Sequence, residues 1–331
     1  MLASGRLQPR CYDGVMSRLW AVTSYFNPAS YRRKARNYRI FRERLAVPLV
    51  TVELSQTAPF ELTPADADIL VQLRGGDVMW QKERLLNLAV GHLPDECEYV
   101  AWLDCDIVFG REDWSQAALR ELDRHSIVQL YRTVYHLGRD TPRDQFSREF
   151  AVFQHDSIGY ACALGLKTSP ASADQGIPGI FKRGQAWCAR RELLEGHGFY
   201  DRNIIGAGDK MMAYAVTGQV EELITELGLT PAHADDYRGW AARFGRDVNG
   251  VGYIEGDIFH LWHGDFRLRQ YGPRHQILRS FEYNPATDIK LDVEGCWRWN
   301  SPKWEMHRRV REYFHQRCED GEPGNIVSAA S

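Results

Sequence analysis

Two aspartates flank a cysteine in Asp104-Cys105-Asp106, and 154 positions after the second comes His260-Leu261-Trp262-His263. Carboxylates at the end of an apolar run are costly to leave bare. Unpaired charge beside a core is destabilising, or its pKa shifts until the group neutralises. A divalent cation removes that cost, and two imidazoles three residues apart supply nitrogen ligands. Asp104, Asp106, His260 and His263 are therefore the candidate metal ligands. Mixed oxygen and imidazole ligation favours Mn2+, with Mg2+ the choice where oxygens dominate. No cysteine pair has the spacing of a zinc site. Each motif alone has an ordinary alternative, a solvated turn for the first and packed core histidines for the second.

The elements that must position these groups follow from the pattern. Tyr99 to Leu103 is an apolar strand that delivers the carboxylates, and Leu19 to Ser24, Pro48 to Leu54, Ile69 to Leu73 and Ile127 to Leu130 read as further strands. Helical spacing covers Tyr31 to Arg44, Trp80 to Leu93 and Trp114 to Arg124, with shorter helices at Glu192 to Glu195 and Asp209 to Val216. Strands alternating with helices predict an α/β fold with a mainly parallel sheet flanked by helices. In such sheets ligands bind at the carboxyl ends of strands, where Asp104 and Asp106 lie. His260 and His263 are expected at the end of one aromatic strand from Tyr253 to Trp262. Residues 131 to 184 are less regular, and the turn-rich stretch from Thr168 to Gly179 reads as a lid or a surface loop. The aromatic tail from Trp297 to Arg317 is expected to wrap the domain.

Composition bounds the partners. The chain has 331 residues, 44% of them hydrophobic, enough for one large domain with a real core. A net charge of −3 gives no general affinity for nucleic acid. Seven scattered cysteines do not make a disulfide framework, and no window approaches the ~18 apolar residues of a spanning helix. The expectation is a soluble, cytoplasmic protein without a transmembrane segment. One local asymmetry stands out: the helix from Tyr31 to Arg44, capped by Asn27 with Pro28 in its first turn, carries arginines along its outer face. Such a face is either solvated or offered to an anionic partner.

Four segments in order resemble the GT-A nucleotide-sugar glycosyltransferases, nearest to the β-1,4-galactosyltransferase and polypeptide N-acetylgalactosaminyltransferase group. Trp80-Gln-Lys-Glu-Arg-Leu-Leu-Asn87 resembles the family helix that precedes the metal strand. Leu103-Asp-Cys-Asp-Ile107 resembles the D-x-D strand end. Gly184-Gln-Ala-Trp187, Gly198-Phe-Tyr-Asp201 and Gly206-Ala-Gly-Asp209 resemble the acceptor-side motif, and His260-x-x-His263 stands where the family has a Met-x-x-His pair. The resemblance spans roughly residues 19 to 275. It implies a GT-A, Rossmann-like domain over 19–285, with a nucleotide-sugar half at 19–130 and an acceptor and metal half at 131–285. An extension at 1–18 precedes it and a wrapping tail at 286–331 follows.

The implied reaction moves a hexosyl unit from a nucleotide sugar, of UDP type, to an acceptor hydroxyl, with inversion. The acceptor class stays open among a glycan, a lipid-linked sugar, a protein and a modified nucleic-acid base. A metal bridging the diphosphate would stabilise the leaving charge. Asp106, His260 and His263 would hold the ion, and Asp104 the donor ribose or a metal-bound water. Thr23 and Ser24 would meet the nucleoside, Trp187 a sugar, and Lys82, Arg84, Arg267 and Arg274 the donor anion. Asp209 is the candidate general base, or only a helix cap. The family motif ends Glu-Asp, whereas this chain has Asp209 then Lys210, so the base and the stereochemistry are where the resemblance is weakest. A metal-dependent nucleotidyltransferase, a sugar-nucleotide hydrolase and a non-catalytic nucleotide-sugar-binding relative are the alternatives.

Overall fold

The computed structural model describes residues 18–166 and 181–321. The chain enters on β1 (Leu19–Phe26), whose carboxyl end is followed by a turn and α1 (Arg32–Arg44). Asn27 does not cap this helix. Its side-chain oxygen accepts from Tyr31 N–H at 2.9 Å, and Ser30 adopts φ 56°, so the helix begins after Tyr31. Two wholly or partly apolar strands follow, β2 (Leu49–Ser55) and β3 (Ile69–Arg74), then α2 (Lys82–Val90). That helix is shorter than its pattern predicts, and Trp80, just before it, donates its N–H to Ile204 O at 2.8 Å. The strand β4 (Tyr99–Leu103) brings the chain to Asp104, and β5 (Ile107–Phe109) leaves it.

Next come α3 (Trp114–Leu122), β6 (Ile127–Gln129), β7 (Thr133–Leu137), β8 (Ala151–Asp156) and α4 (Ile158–Ala163). The region that reads as irregular thus holds two strands and a short helix; the turn-rich stretch from 168 to 179 lies outside the described residues. The chain continues through β9 (Ala186–Arg190), α5 (Arg191–His197), α6 (Gly208–Val216), α7 (Val220–Leu227) and α8 (Pro231–Arg246). The aromatic stretch expected as one strand is two, β10 (Val251–Tyr253) and β11 (Asp257–His260), in different sheets. The break falls at Gly256, whose φ of +135° turns the backbone. A helix α9 (His275–Ser280), a hairpin of β12 (Ile289–Leu291) and β13 (Trp297–Trp299), and α10 (Trp304–Gln316) complete the described chain.

The large sheet has seven strands in the order β10-β6-β9-β4-β1-β2-β3, parallel except for β9. Helices cover both faces, as a parallel-dominated sheet requires. On one side Leu85, Trp102, Trp187, Met211 and Tyr237 join a core under α2, α6 and α8. On the other Tyr25, Tyr38, Leu49, Trp114 and Val128 pack beneath α1 and α3. A second, four-stranded sheet in the order β5-β11-β7-β8 is mixed. The tail packs through Met306, Val310 and Tyr313 against Ile204, Ile277 and Tyr283. It also reaches α1, where Tyr31 Oη donates to Phe314 O at 2.8 Å. Among the described residues, no helix is long and apolar enough to cross a membrane.

Candidate active site

A cavity of about 670 Å³ opens at the carboxyl ends of β1 and β4, lined by Thr23, Ser24, Asp104 and Asp106 from that edge. The floor is built by strand-end chemistry. Thr23 Oγ1 donates to Leu103 O at 2.7 Å, tying the two strand ends together, so its hydroxyl is already engaged and Ser24 is the freer polar group. Asp104 N–H donates to Gln185 O at 2.7 Å and Leu261 N–H to Asp106 O at 2.8 Å. The triplet is thereby fixed by β9 on one side and by the segment after β11 on the other.

Asp106, His260 and His263 converge, each offering one ligand atom, and these atoms lie within 4.8 Å of one another. His263 Nε2 is 3.0 Å from Asp106 Oδ2, His260 Nε2 is 3.7 Å from Oδ1, and the two Nε2 atoms are 3.3 Å apart. Supporting groups orient the rings. His136 Nδ1 is 3.2 Å from His260 Nδ1, and Glu319 Oε1 is 3.6 Å from His263 Nδ1. A ligating histidine held through its other nitrogen by a carboxylate is the usual support of a metal centre. Burial would raise the Asp106 pKa, but His263 and His260 hold the carboxyl well below its usual range. Burial keeps His260 neutral, against the pull of Asp106. Asp106 Oδ1 is buried without a hydrogen-bond partner. One carboxylate, two converging imidazole nitrogens and an orphaned oxygen fit a divalent ion of the Mn2+ or Mg2+ kind.

Asp104 turns elsewhere. Lys82 Nζ lies 2.6 Å from Asp104 Oδ1 and 2.9 Å from Asp209 Oδ2. Asp104 is thus a partner of Lys82 and stands outside the converging set, which corrects its expectation as a metal ligand. Its pKa is pushed up to about 6 by burial, with Asp209 and Asp106 adding and Lys82 opposing. Asp209 sits in the first turn of α6, where Gly184 makes room for it; a Cβ on Gly184 would stand 2.9 Å from Asp209 Oδ2.

Three further expectations do not hold. Trp187 is 0% exposed and stacks on Trp102 at 6.4 Å, so it offers no face to a sugar. The reason is strand alternation: β9 turns Trp187 into the core beneath α2 and α6. Arg84 is drawn off the cavity by Gly295 O at 2.5 Å and Asp201 at 3.3 Å. Arg267 is exposed on a 3-10 turn and does not line the cavity, whereas Arg269 and Arg274 do. Sequence reading missed several lining groups. Lys34 leaves the arginine face of α1 and turns inward over the Tyr25 ring at 5.9 Å. Lys182 and Glu319 line the cavity from segments with no periodic signal. Glu319 alone carried a hint, as the acid two residues after Arg317, with which it pairs at 2.6 Å.

No family model matches the chain. No curated protein matches it. Among solved structures the chain is similar to S. aureus TarS, at a TM-score of 0.38 and 11% identity, over 92% of this chain and 44% of that one. It is also similar to TarS 1–349 in complex with UDP-GlcNAc, at 0.38 and 10%, over 90% and 72% of the two chains. A third is Mycobacterium tuberculosis glucosyl-3-phosphoglycerate synthase in complex with Mn2+, UDP and phosphoglyceric acid, at 0.38 and 15%, over 82% and 81%. This chain therefore spans less than half the length of full TarS, and likenesses this distant carry no function to it.

Proposed function

We propose that the protein is a metal-dependent glycosyltransferase of the GT-A type. It would transfer a hexosyl unit from a UDP-type nucleotide sugar to an acceptor hydroxyl, with inversion. The observation that carries this reading is the convergence of Asp106, His260 and His263 at a strand-end cavity, with Asp106 Oδ1 left without a partner. Asp106, His260 and His263 would hold Mn2+ or Mg2+, which would supply positive charge against the leaving diphosphate. The chain's own residues supply the rest. Ser24, at the end of β1, faces the nucleoside. Lys182 and Arg269 are near enough to His260 to oppose its protonation, and so stand where leaving phosphates would gather charge. Asp209 takes the acceptor proton once Lys82 shifts from it toward the bound diphosphate. Asp104 retains Lys82 nearby during that exchange.

Thermal unfolding in the presence of UDP-, GDP-, CMP- and dTDP-sugars, with and without Mn2+, tests the reading. Ligands that bind only the folded state raise the melting temperature by mass action. A Mn2+-dependent shift with one nucleotide class, lost in Asp106→Ala, is the expected result. No shift with any donor would remove the proposal.

A further inference from the structure

Past Asp209 the cavity wall carries cations that the metal and the donor do not use. Arg274 and His275, at the start of α9, are 3% and 4% exposed and both line the cavity. No carboxylate pairs with Arg274 among the described residues. Its Nη1 donates to Tyr313 Oη at 2.7 Å and its Nε to His275 Nε2 at 3.5 Å, while the guanidinium lies over the rings of Trp80 and Tyr271. Accepting at Nε2 leaves the His275 proton on Nδ1, and that buried nitrogen has no partner. The guanidinium also rests against Gly206, where a Cβ would stand 3.1 Å from Nη2. Gly206 has φ +95°, so the close approach is built into the segment that leads to Asp209.

Lys210 follows Asp209 and adds a second positive group, paired with Glu226. Burial first, then Arg274 and Lys210, lower the His275 pKa to about 2, so the imidazole is neutral. Burial likewise lowers Lys210, against Glu226, with Arg183 and Arg274 adding. The helix α6 brings Lys210 to the same cavity wall as Arg274 and His275. A buried guanidinium whose partners are hydroxyls and rings, with no carboxylate, gains further stabilisation when an anion arrives.

We infer that Arg274, His275 and Lys210 form a second anion subsite that binds a phosphate group on the acceptor. The inference rests on the transferase reading, because it assigns the acceptor side of the same cavity. It adjoins the donor cations at Tyr271, whose Oη accepts from Arg269 Nη1 at 3.2 Å and whose ring Arg274 overlies. A phosphate seated there would hold a neighbouring hydroxyl within reach of Asp209.

The test is calorimetric titration and thermal unfolding of the full chain with inorganic phosphate and with glycerol 1-phosphate, at matched ionic strength. Each is run with and without saturating UDP and Mn2+, and acetate replaces phosphate in a parallel arm. Phosphate is expected to add its shift to that of UDP and Mn2+, acetate to give a smaller one, and Lys210→Gln to weaken phosphate binding about tenfold, as loss of one charge-assisted hydrogen bond would. Arg274→Gln should do the same. Lys210→Gln carries the result if loss of the Tyr313 contact unfolds Arg274→Gln. Phosphate that competes with UDP would assign the cluster to the donor and overturn the inference. A shift unchanged in both variants would be general salt stabilisation and would overturn it too. An acetate shift equal to that of phosphate would replace the phosphate with a carboxylate. Absence of a UDP and Mn2+ shift, with a variant-sensitive phosphate shift intact, would overturn the transferase reading alone.

Discussion

Lys82 Nζ stands 2.9 Å from Asp209 Oδ2, so the ammonium that α2 brings to the cavity neutralises the carboxylate that α6 brings. The same ammonium holds Asp104, and all three groups are largely shielded from water. Lys82→Met would leave two carboxylates beside each other with no cation. Removing one partner of a buried ion pair costs about 3–5 kcal/mol, and a loss of that size is expected in urea unfolding. A loss below about 1 kcal/mol would mean that the pair is solvated and that Asp209 is free in the resting protein.

Gly184 allows Asp209 its position. In Gly184→Ala the new methyl would stand 2.9 Å from Asp209 Oδ2, and the carboxylate must move away from the acceptor corner. Misplacement of a reacting group by an ångström is worth about 100-fold in rate. The variant should lose turnover by that order while still binding donor and Mn2+, as read by equilibrium titration beside initial rates. Unchanged turnover would show that Asp209 is not the base.

Glu83 gives the protein a pH dependence on its alkaline side. Burial pushes this carboxyl up to about 8, Asp209 and Asp104 adding and Lys82 opposing. The folded state thus holds the proton more tightly than the unfolded chain. The stability it contributes is complete below the ordinary carboxyl range and is lost as pH rises through about 8. Glu83→Gln removes that loss, so the variant should gain on the parent in urea midpoint as pH rises from 4.5 to about 8, the ordinary and the raised value. Parallel profiles would place Glu83 ionised beside Lys82.

The ion itself should depend on Glu319. This carboxylate reaches His263 Nδ1 at 3.6 Å and is held in turn by Arg317. Loss of such a supporting group typically weakens metal binding 10–100-fold. Glu319→Gln is expected to do so in a Mn2+ titration, without the complete loss expected of His263→Ala. Equal affinity in Glu319→Gln and the parent would remove the supporting role.

The large sheet was legible in the sequence because its strands are apolar runs separated by helical patterns. The convergence of Asp106, His260 and His263 was legible because Asp106 ends such a run and the two histidines are spaced to share one face. What escaped was set by long-range contacts. Asp104 looks equivalent to Asp106 in the triplet, yet Lys82 from a distant helix claims it. Trp187 reads as a ligand platform until β9 is known to enter between β4 and β6, which turns that ring inward. Lys34 sits in a run of arginines, and only the pitch of α1 separates it from them. The split of residues 251 to 260 into two sheets depends on one glycine φ, which composition does not reveal.

The placement of β9 has a bearing on how the protein is made. This strand fills the slot between β4 and β6, although it follows both in the chain. A chain emerging from the ribosome therefore carries β4 and β6 with unsatisfied edges until residues 186–190 appear. Asp106, near the start of that interval, waits longer still, for His260 and then Glu319. Synthesis must run almost to the end of the described chain before Asp106, His260, His263 and Glu319 can come together.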